Sequence, residues 1–267
     1  MNDTGRRRVG LIGFGFIGSQ VFARIVSDSS CGLEVAFVHN RSEHRIAAVP
    51  KHLLLHEIGE LDRFKVDLVV EMAHPQYSEQ WGEAILSQAN YLPLSVTALA
   101  DDALRDRLTR RALASNTTLA IPHGALMGLD SLREWRAMWR DVVISFYKNP
   151  ANIDFGATAI DPATITKETV LYDGPVRGIA KLYPRNVNTM VTCALATVGL
   201  DQCRARLIAD PSLTVAIAQV DATGKDGSVL TMRKEQPVKG VSGTEMFESQ
   251  FASIVKAAGI REPLAFV

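Results

Sequence analysis

Cysteine is scarce: Cys31, Cys193 and Cys203 are the only three in 267 residues. Their odd number and lack of metal-type spacing exclude a disulfide framework and a zinc ribbon, and reduced thiols in a cytoplasmic protein are the expectation. A net charge is also lacking, with 29 basic and 29 acidic side chains, so bulk electrostatics draws the chain to neither nucleic acid nor a membrane surface. No apolar run reaches the roughly 18 residues that a membrane-spanning helix needs. Met1 to Arg8 is polar and basic and the apolar run after it is broken by glycines, so no signal peptide is expected. Histidine stops early: the six stand at 39, 44, 52, 56, 74 and 123. Internal repeats and low-complexity segments are absent.

What is present starts at Val9. Val9 to Ile12 reads as a buried parallel strand that breaks into Gly13-x-Gly15-x-x-Gly18, followed by Ile17, Val21, Phe22, Ile25 and Val26 at helical spacing. Strand, glycine turn and helix in that order make a dinucleotide site. Gly13 permits the tight turn, Gly15 lets backbone approach a pyrophosphate, and Gly18 lets the helix lie close to the strand. The helix start, with Phe16 and Ile17, offers N–H groups to phosphate. About 20 residues beyond such a turn an acid commonly binds the adenosine ribose. Here Leu33 to His39 forms the second strand and Asn40-Arg41-Ser42 follows, with no acid before Glu43. That favours NADP over NAD as cofactor.

Further along, Val66 to Met72 and Tyr91 to Val96 read as strands, Gln76 to Gln88 and a segment from Asp102 to about Ser115 as helices, and Thr117 to Ile121 as another strand. This alternation predicts a doubly wound parallel α/β sheet. Ala73 and His74 follow the third strand at the sheet's carboxyl end, where open α/β sheets bind ligands. His52 and His56 are four apart, a formal metal spacing. They lack a third ligand, so surface positions and no metal are expected. After Pro122-His123-Gly124-Ala125 the pattern changes. A helix over Asp130 to Trp139 is expected, then strands at Val142–Lys148, Thr169–Tyr172, Val176–Leu182, Arg204–Ala209, Leu213–Ala222 and Ser228–Arg233. Helices are expected near Val187–Val198 and Gly243–Ala258. The expected domains are a dinucleotide-binding domain over 1–125, an α+β substrate domain over 126–242, and a terminal helix over 243–267 that packs back on the first.

Several segments together resemble the aspartate dehydrogenase family, including its animal homologues. They are Ser95 to Asp101 (SVTALAD), Gly124 to Asp130 (GALMGLD), Tyr172 to Gly178 (YDGPVRG), Pro184 to Thr189 (PRNVNT) and Ala209-Asp210-Pro211. The resemblance covers nearly the whole chain. It implies an N-terminal Rossmann domain with a C-terminal α+β domain, a nicotinamide cofactor held partly by Ala125 and Asn188, and a homodimer. The implied reaction interconverts L-aspartate with oxaloacetate and ammonia through an imine.

The resemblance also implies a catalytic histidine beyond Asn188, eight residues after Asp210. That position is Ala218, flanked by Ile217 and Gln219. An alanine neither gives nor takes a proton. His123, next to Gly124-Ala125, and His74 are the candidate replacements, since imidazole exchanges protons near neutral pH; Lys148 and Tyr183 stand behind them. For substrate carboxylates the candidates are Arg185 and Asn186, before a helix start, and Ser242 and Thr244, before the last helix; each also fits plain capping. Two functions stay open: a dehydrogenase or imine reductase for a small amino or keto acid, not necessarily aspartate, and a catalytically quiet NAD(P)(H)-binding sensor or scaffold.

Overall fold

A computed structural model describes residues 5–239, 242–243, 246–261 and 264. The chain divides into two compact units, 1–122 with 250–267 and 123–249.

The first unit is built on four short parallel strands: β1 (Arg7–Ile12), β2 (Leu33–His39), β3 (Leu68–Glu71) and β4 (Asn90–Pro93). Their order is β2-β1-β3-β4, and every pairing is parallel. Helices α1 (Phe16–Ser27) and α2 (Gln76–Leu86) supply the β1–β2 and β3–β4 crossovers, short turns join β2 to β3, and α3 (Asp102–Ser115) follows β4. The strands read as unbroken apolar runs because both faces are covered; Val9, Leu11, Leu68 and Val70 are wholly buried. Strand order reverses between β1 and β3, so the glycine turn after β1 and the loop after β3 open together. That is where such sheets bind ligands. Asp101 caps α3 by accepting the Leu104 N–H at 2.8 Å, and Asn116 ends it in the left-handed conformation at φ 53°.

The second unit holds helix α4 (Leu129–Glu134), strand β5 (Trp139–Lys148), strand β6 (Thr169–Pro175), helices α5 (Val176–Leu182) and α6 (Asn188–Ala196), and strands β7 (Arg204–Ala209), β8 (Ala216–Gly224) and β9 (Val229–Gln236). The sheet order is β6-β7-β5-β8-β9. Only β5 and β7 run parallel. A minimal antiparallel pair, β10 (Val238–Lys239) and β11 (Ser242–Gly243), precedes the last helix, α7 (Met246–Ala257). From Gln250 on, the chain belongs to the first unit, where the Arg24 guanidinium lies 5.5 Å from the Phe251 ring centre.

Several expected elements change. Val176–Leu182 is a helix, not a strand: Val176, Ile179 and Ala180 are its buried residues, which is helical spacing. Thr117–Ile121 reduces to one bridge, Leu119 beside Tyr91. The helix expected over Asp130–Trp139 stops at Glu134. Trp139 instead opens β5, buried, with its indole N–H donated to the Leu132 carbonyl at 2.8 Å. Residues 46–64 form short turns, so His52 and His56 share no helix; His56 faces Glu43 at 3.4 Å. No metal-binding cluster of His, Cys, Asp or Glu occurs among the described residues, and none of their helices is long and apolar enough to cross a membrane.

Candidate active site

The candidate residues of the first unit act mostly through backbone. Gly13 has φ +97°, and a Cβ there would lie 2.8 Å from the Met72 carbonyl, so glycine is required. Gly15 precedes α1, and a Cβ on it would meet nothing within 4 Å: the space in front of the helix is open. A Cβ on Gly18 would collide with the Gly13 carbonyl. No side chain caps α1 and no acid sits in its first turn, which Phe16 and Ile17 open. An uncapped helix start, an open glycine and the positive end of the helix dipole fit a pyrophosphate.

Asn40 closes this turn from the end of β2. Its Oδ1 accepts the Phe14 N–H and its Nδ2 donates to the Ser42 carbonyl, both at 2.9 Å. Its amide therefore shapes the turn. Arg41 beside it is exposed and Ser42 is half-buried. His39 bonds the Leu55 carbonyl at 2.9 Å and approaches the Tyr77 hydroxyl at 3.4 Å.

Glu71 is the residue that sequence reasoning passed over. It ends β3 wholly buried. Its Oε1 accepts the N–H groups of Ala73 (2.6 Å) and His74 (2.7 Å) and the Ser95 hydroxyl (3.0 Å), and its Oε2 accepts the Ser95 N–H (3.2 Å). One carboxyl group thus pins the loop that flanks the glycine turn. Burial pushes its pKa from 4.5 up to about 7, against the pull of those donors. The signal was available: an acid inside an apolar strand must satisfy its oxygens locally. The pinned loop turns the His74 side chain to the surface, where Nδ1 accepts the Gln76 N–H at 3.3 Å.

The second unit contributes its own cluster. Gly124, at φ +61°, lets the chain pass so close to α6 that a Cβ would lie 2.7 Å from Thr189 Oγ1. That oxygen accepts the Ala125 N–H at 3.1 Å. His123 just before it and Asn188 at the start of α6 are half-buried. Arg185 pairs with Asp154 at 2.8 Å. Asn186 is spent on the same loop, accepting the Asp154 N–H at 2.9 Å and donating to the Asp154 carbonyl at 2.7 Å. Ser242 falls in β11, and Thr244 lies outside the described residues. Ala125, Met127, Phe146, Thr189, Ala218 and Met232 line a small, largely apolar hollow. Ala218 therefore sits beside Ala125 and Thr189, although an alanine brings no functional group there.

Similarity to known proteins follows this geometry. The model described as "Homoserine dehydrogenase, NAD binding domain" matches residues 13–122, and "Aspartate dehydrogenase, C-terminal" matches residues 132–245. An aspartate dehydrogenase domain-containing protein of Xenopus tropicalis is 33% identical, over 97% of this chain and 97% of its own. The chain belongs to the aspartate dehydrogenase family. An L-aspartate dehydrogenase of Pseudomonas aeruginosa is also 33% identical, over 84% of this chain and 86% of its own. The crystal structure of Thermotoga maritima aspartate dehydrogenase shares the fold, with a TM-score of 0.72 at 23% identity over 98% of this chain and 100% of that one. Membership makes this an NAD-binding oxidoreductase fold, with a Rossmann-type unit and a mixed-sheet unit as expected from the resemblance.

Proposed function

We propose that the protein is a nicotinamide-dependent dehydrogenase that interconverts a small amino acid with its 2-oxo acid and ammonia through an imine, with L-aspartate and oxaloacetate as the first pair to test. The observation that carries this reading is the open, uncapped start of α1 behind Gly13, Gly15 and Gly18, in a chain whose second half matches the aspartate dehydrogenase C-terminal model. The bound cofactor supplies or accepts the hydride. Gly13, Gly15, Phe16, Ile17 and Gly18 receive its pyrophosphate. Arg41 and Ser42 suit a 2′-phosphate, which favours NADP(H). Ala73 and His74 border the turn through the backbone that Glu71 holds, and Ala125 and Asn188 serve the nicotinamide end. Holding reactants in place contributes up to roughly 7–11 kcal/mol of barrier reduction, so the scaffold retains much of its catalytic value without the histidine.

His123 and His74 remain the histidine candidates for proton transfer. His74's exposure and its Nδ1 contact with the turn backbone make it the weaker. Arg185 and Ser242 are candidate carboxylate contacts. Ala218 supports a second reading, a quiet NAD(P)(H)-binding sensor. Absorbance at 340 nm with NADPH and NADH, oxaloacetate plus ammonia, other 2-oxo acids and preformed cyclic imines separates them. Turnover with any of these supports the dehydrogenase. Tight cofactor binding with silence across the panel supports the sensor.

A further inference from the structure

Strand register surrounds the Ala218 position with amines. Ala218 on β8 is paired with Phe146 on β5 and with Lys234 on β9. Paired residues of neighbouring antiparallel strands share a face, and side chains two apart on one strand share it too. Lys148, two residues beyond Phe146, therefore lies on the face of Ala218. The diagonal separation is about 7–8 Å between such positions, which a lysine side chain spans. Lys148 is only 8% exposed. Its Nζ stands 5.7 Å from the centre of the Phe146 ring, and that ring is a wall of the hollow lined by Ala218, Ala125 and Thr189. The other amine, Lys234, sits half-buried on the edge strand β9.

Resting on the dehydrogenase reading above, we propose that Lys148 is the catalytic acid and base of this enzyme, occupying in function the place left by an alanine at position 218. In the reductive direction ammonia attacks the carbonyl carbon of the 2-oxo acid. The carbonyl oxygen takes a proton from the Lys148 ammonium while the attacking nitrogen releases one to solvent, which gives a neutral carbinolamine. The C–O bond then breaks, and a second proton, delivered through the same amine after it recharges from solvent, leaves with the hydroxyl as water. Hydride from NAD(P)H reduces the resulting iminium, and the amine formed takes a proton from solvent. The balance is 2-oxo acid, ammonium, NAD(P)H and one proton in; amino acid, NAD(P)⁺ and water out. In the oxidative direction neutral Lys148 takes the proton from the water that attacks the iminium carbon.

Burial lowers the Lys148 pKa from 10.5 to about 8, which makes both protonation states accessible under mild conditions. On its flanks are Ala209 of β7 and the Phe146 ring. The titratable groups nearest in sequence register are Lys234 on the same face and Asp210, whose N–H bonds the Lys148 carbonyl and whose carboxylate accepts from Ser212. Burial is the cause of the shift.

Three measurements test this. In cofactor-free protein carrying 13Cε-lysine, the resonance missing from K148M should titrate near pH 8 and move on adding oxaloacetate; titration near the ordinary lysine value and no response would overturn the assignment. Wild-type kcat should bend near pH 8, and K148M should lose that limb and on the order of 10²–10⁴-fold in kcat while binding cofactor as before. K148M/A218H should recover activity with the limb moved towards the histidine range near 6.5, a rescue that a purely structural lysine does not allow. If wild type and K148M turn over alike, Lys148 is not the acid and base and the dehydrogenase reading stands. If wild type binds cofactor yet reduces nothing in the panel, the dehydrogenase reading falls and takes this assignment with it.

Discussion

The candidate residues of the first unit are positions where a side chain is missing or turned away: Gly13, Gly15 and Gly18, with the α1 start uncapped. The second unit's own cluster is built from what side chains bring: Thr189 holding the Ala125 N–H, Phe146 walling the hollow, and Lys148 beside the Phe146 ring. Backbone recognition tolerates almost any sequence that keeps the turn. Proton chemistry depends on one functional group, and a single substitution can remove it. The expectation from the chain's resemblance therefore carries further for cofactor binding than for the chemical step.

Four perturbations break or sharpen that contrast. The largest effect falls on the second unit's packing. Trp139→Ala removes a buried indole and leaves the Leu132 carbonyl unpaired. It should cost about 3–5 kcal/mol, read by urea unfolding followed by circular dichroism. At temperatures where the variant is folded, dinucleotide binding should persist; its loss there would end the division of labour between the units.

Next comes the buried acid of the first unit. Glu71 holds its proton more tightly folded, near pH 7, than its ordinary 4.5. The folded state then binds more protons than the unfolded one between those values. Its contribution to stability is greatest below 4.5, falls as pH rises to about 7, and is flat above. The stability difference between wild type and Glu71→Gln should fall by on the order of 1–3 kcal/mol from pH 4.5 to pH 8. A difference constant with pH would mean that folding leaves the carboxyl's pKa at its ordinary value.

Gly15→Ala should leave the unfolding midpoint nearly unchanged, because its methyl meets open space. It should weaken dinucleotide binding by roughly 10–100-fold, the close approach being lost; calorimetric titration decides. The smallest effect is at Arg41. Arg41→Ala should shift the NADPH-to-NADH affinity ratio towards NADH by about tenfold, of the order of one exposed charge-assisted contact at about 1.4 kcal/mol. An unchanged ratio would leave Arg41 a plain surface residue.

How much was legible beforehand varied with the range of the forces involved. The glycine turn, β2 at Leu33–His39 and β7 at Arg204–Ala209 follow from local pattern, since turn chemistry and apolar runs act over a few residues. The segment Val176–Leu182 misled because it is short and apolar. Its helical spacing shows only when burial is known, and Pro175 just before it ends β6. Thr117–Ile121 has strand composition, yet it gains one bridge to Tyr91. Arg185 and Asn186 read as anion-binding residues, and that reading left out Asp154, more than thirty positions away, which both reach. Residue type cannot reveal such a partner.

The sequence by itself determined the nucleotide turn, strands β1–β4 and helices α1–α3 of the first unit, the family, and the absence of a histidine after position 123. Each of these is written in neighbouring residues or in their kind. Tertiary structure alone decided that Glu71 is buried under four hydrogen bonds, that Asn40 ties β2 to the turn, and that Lys148, Phe146, Ala218 and Lys234 share one face. Those facts depend on strand register and burial, and both arise when segments distant along the chain pair and exclude water together.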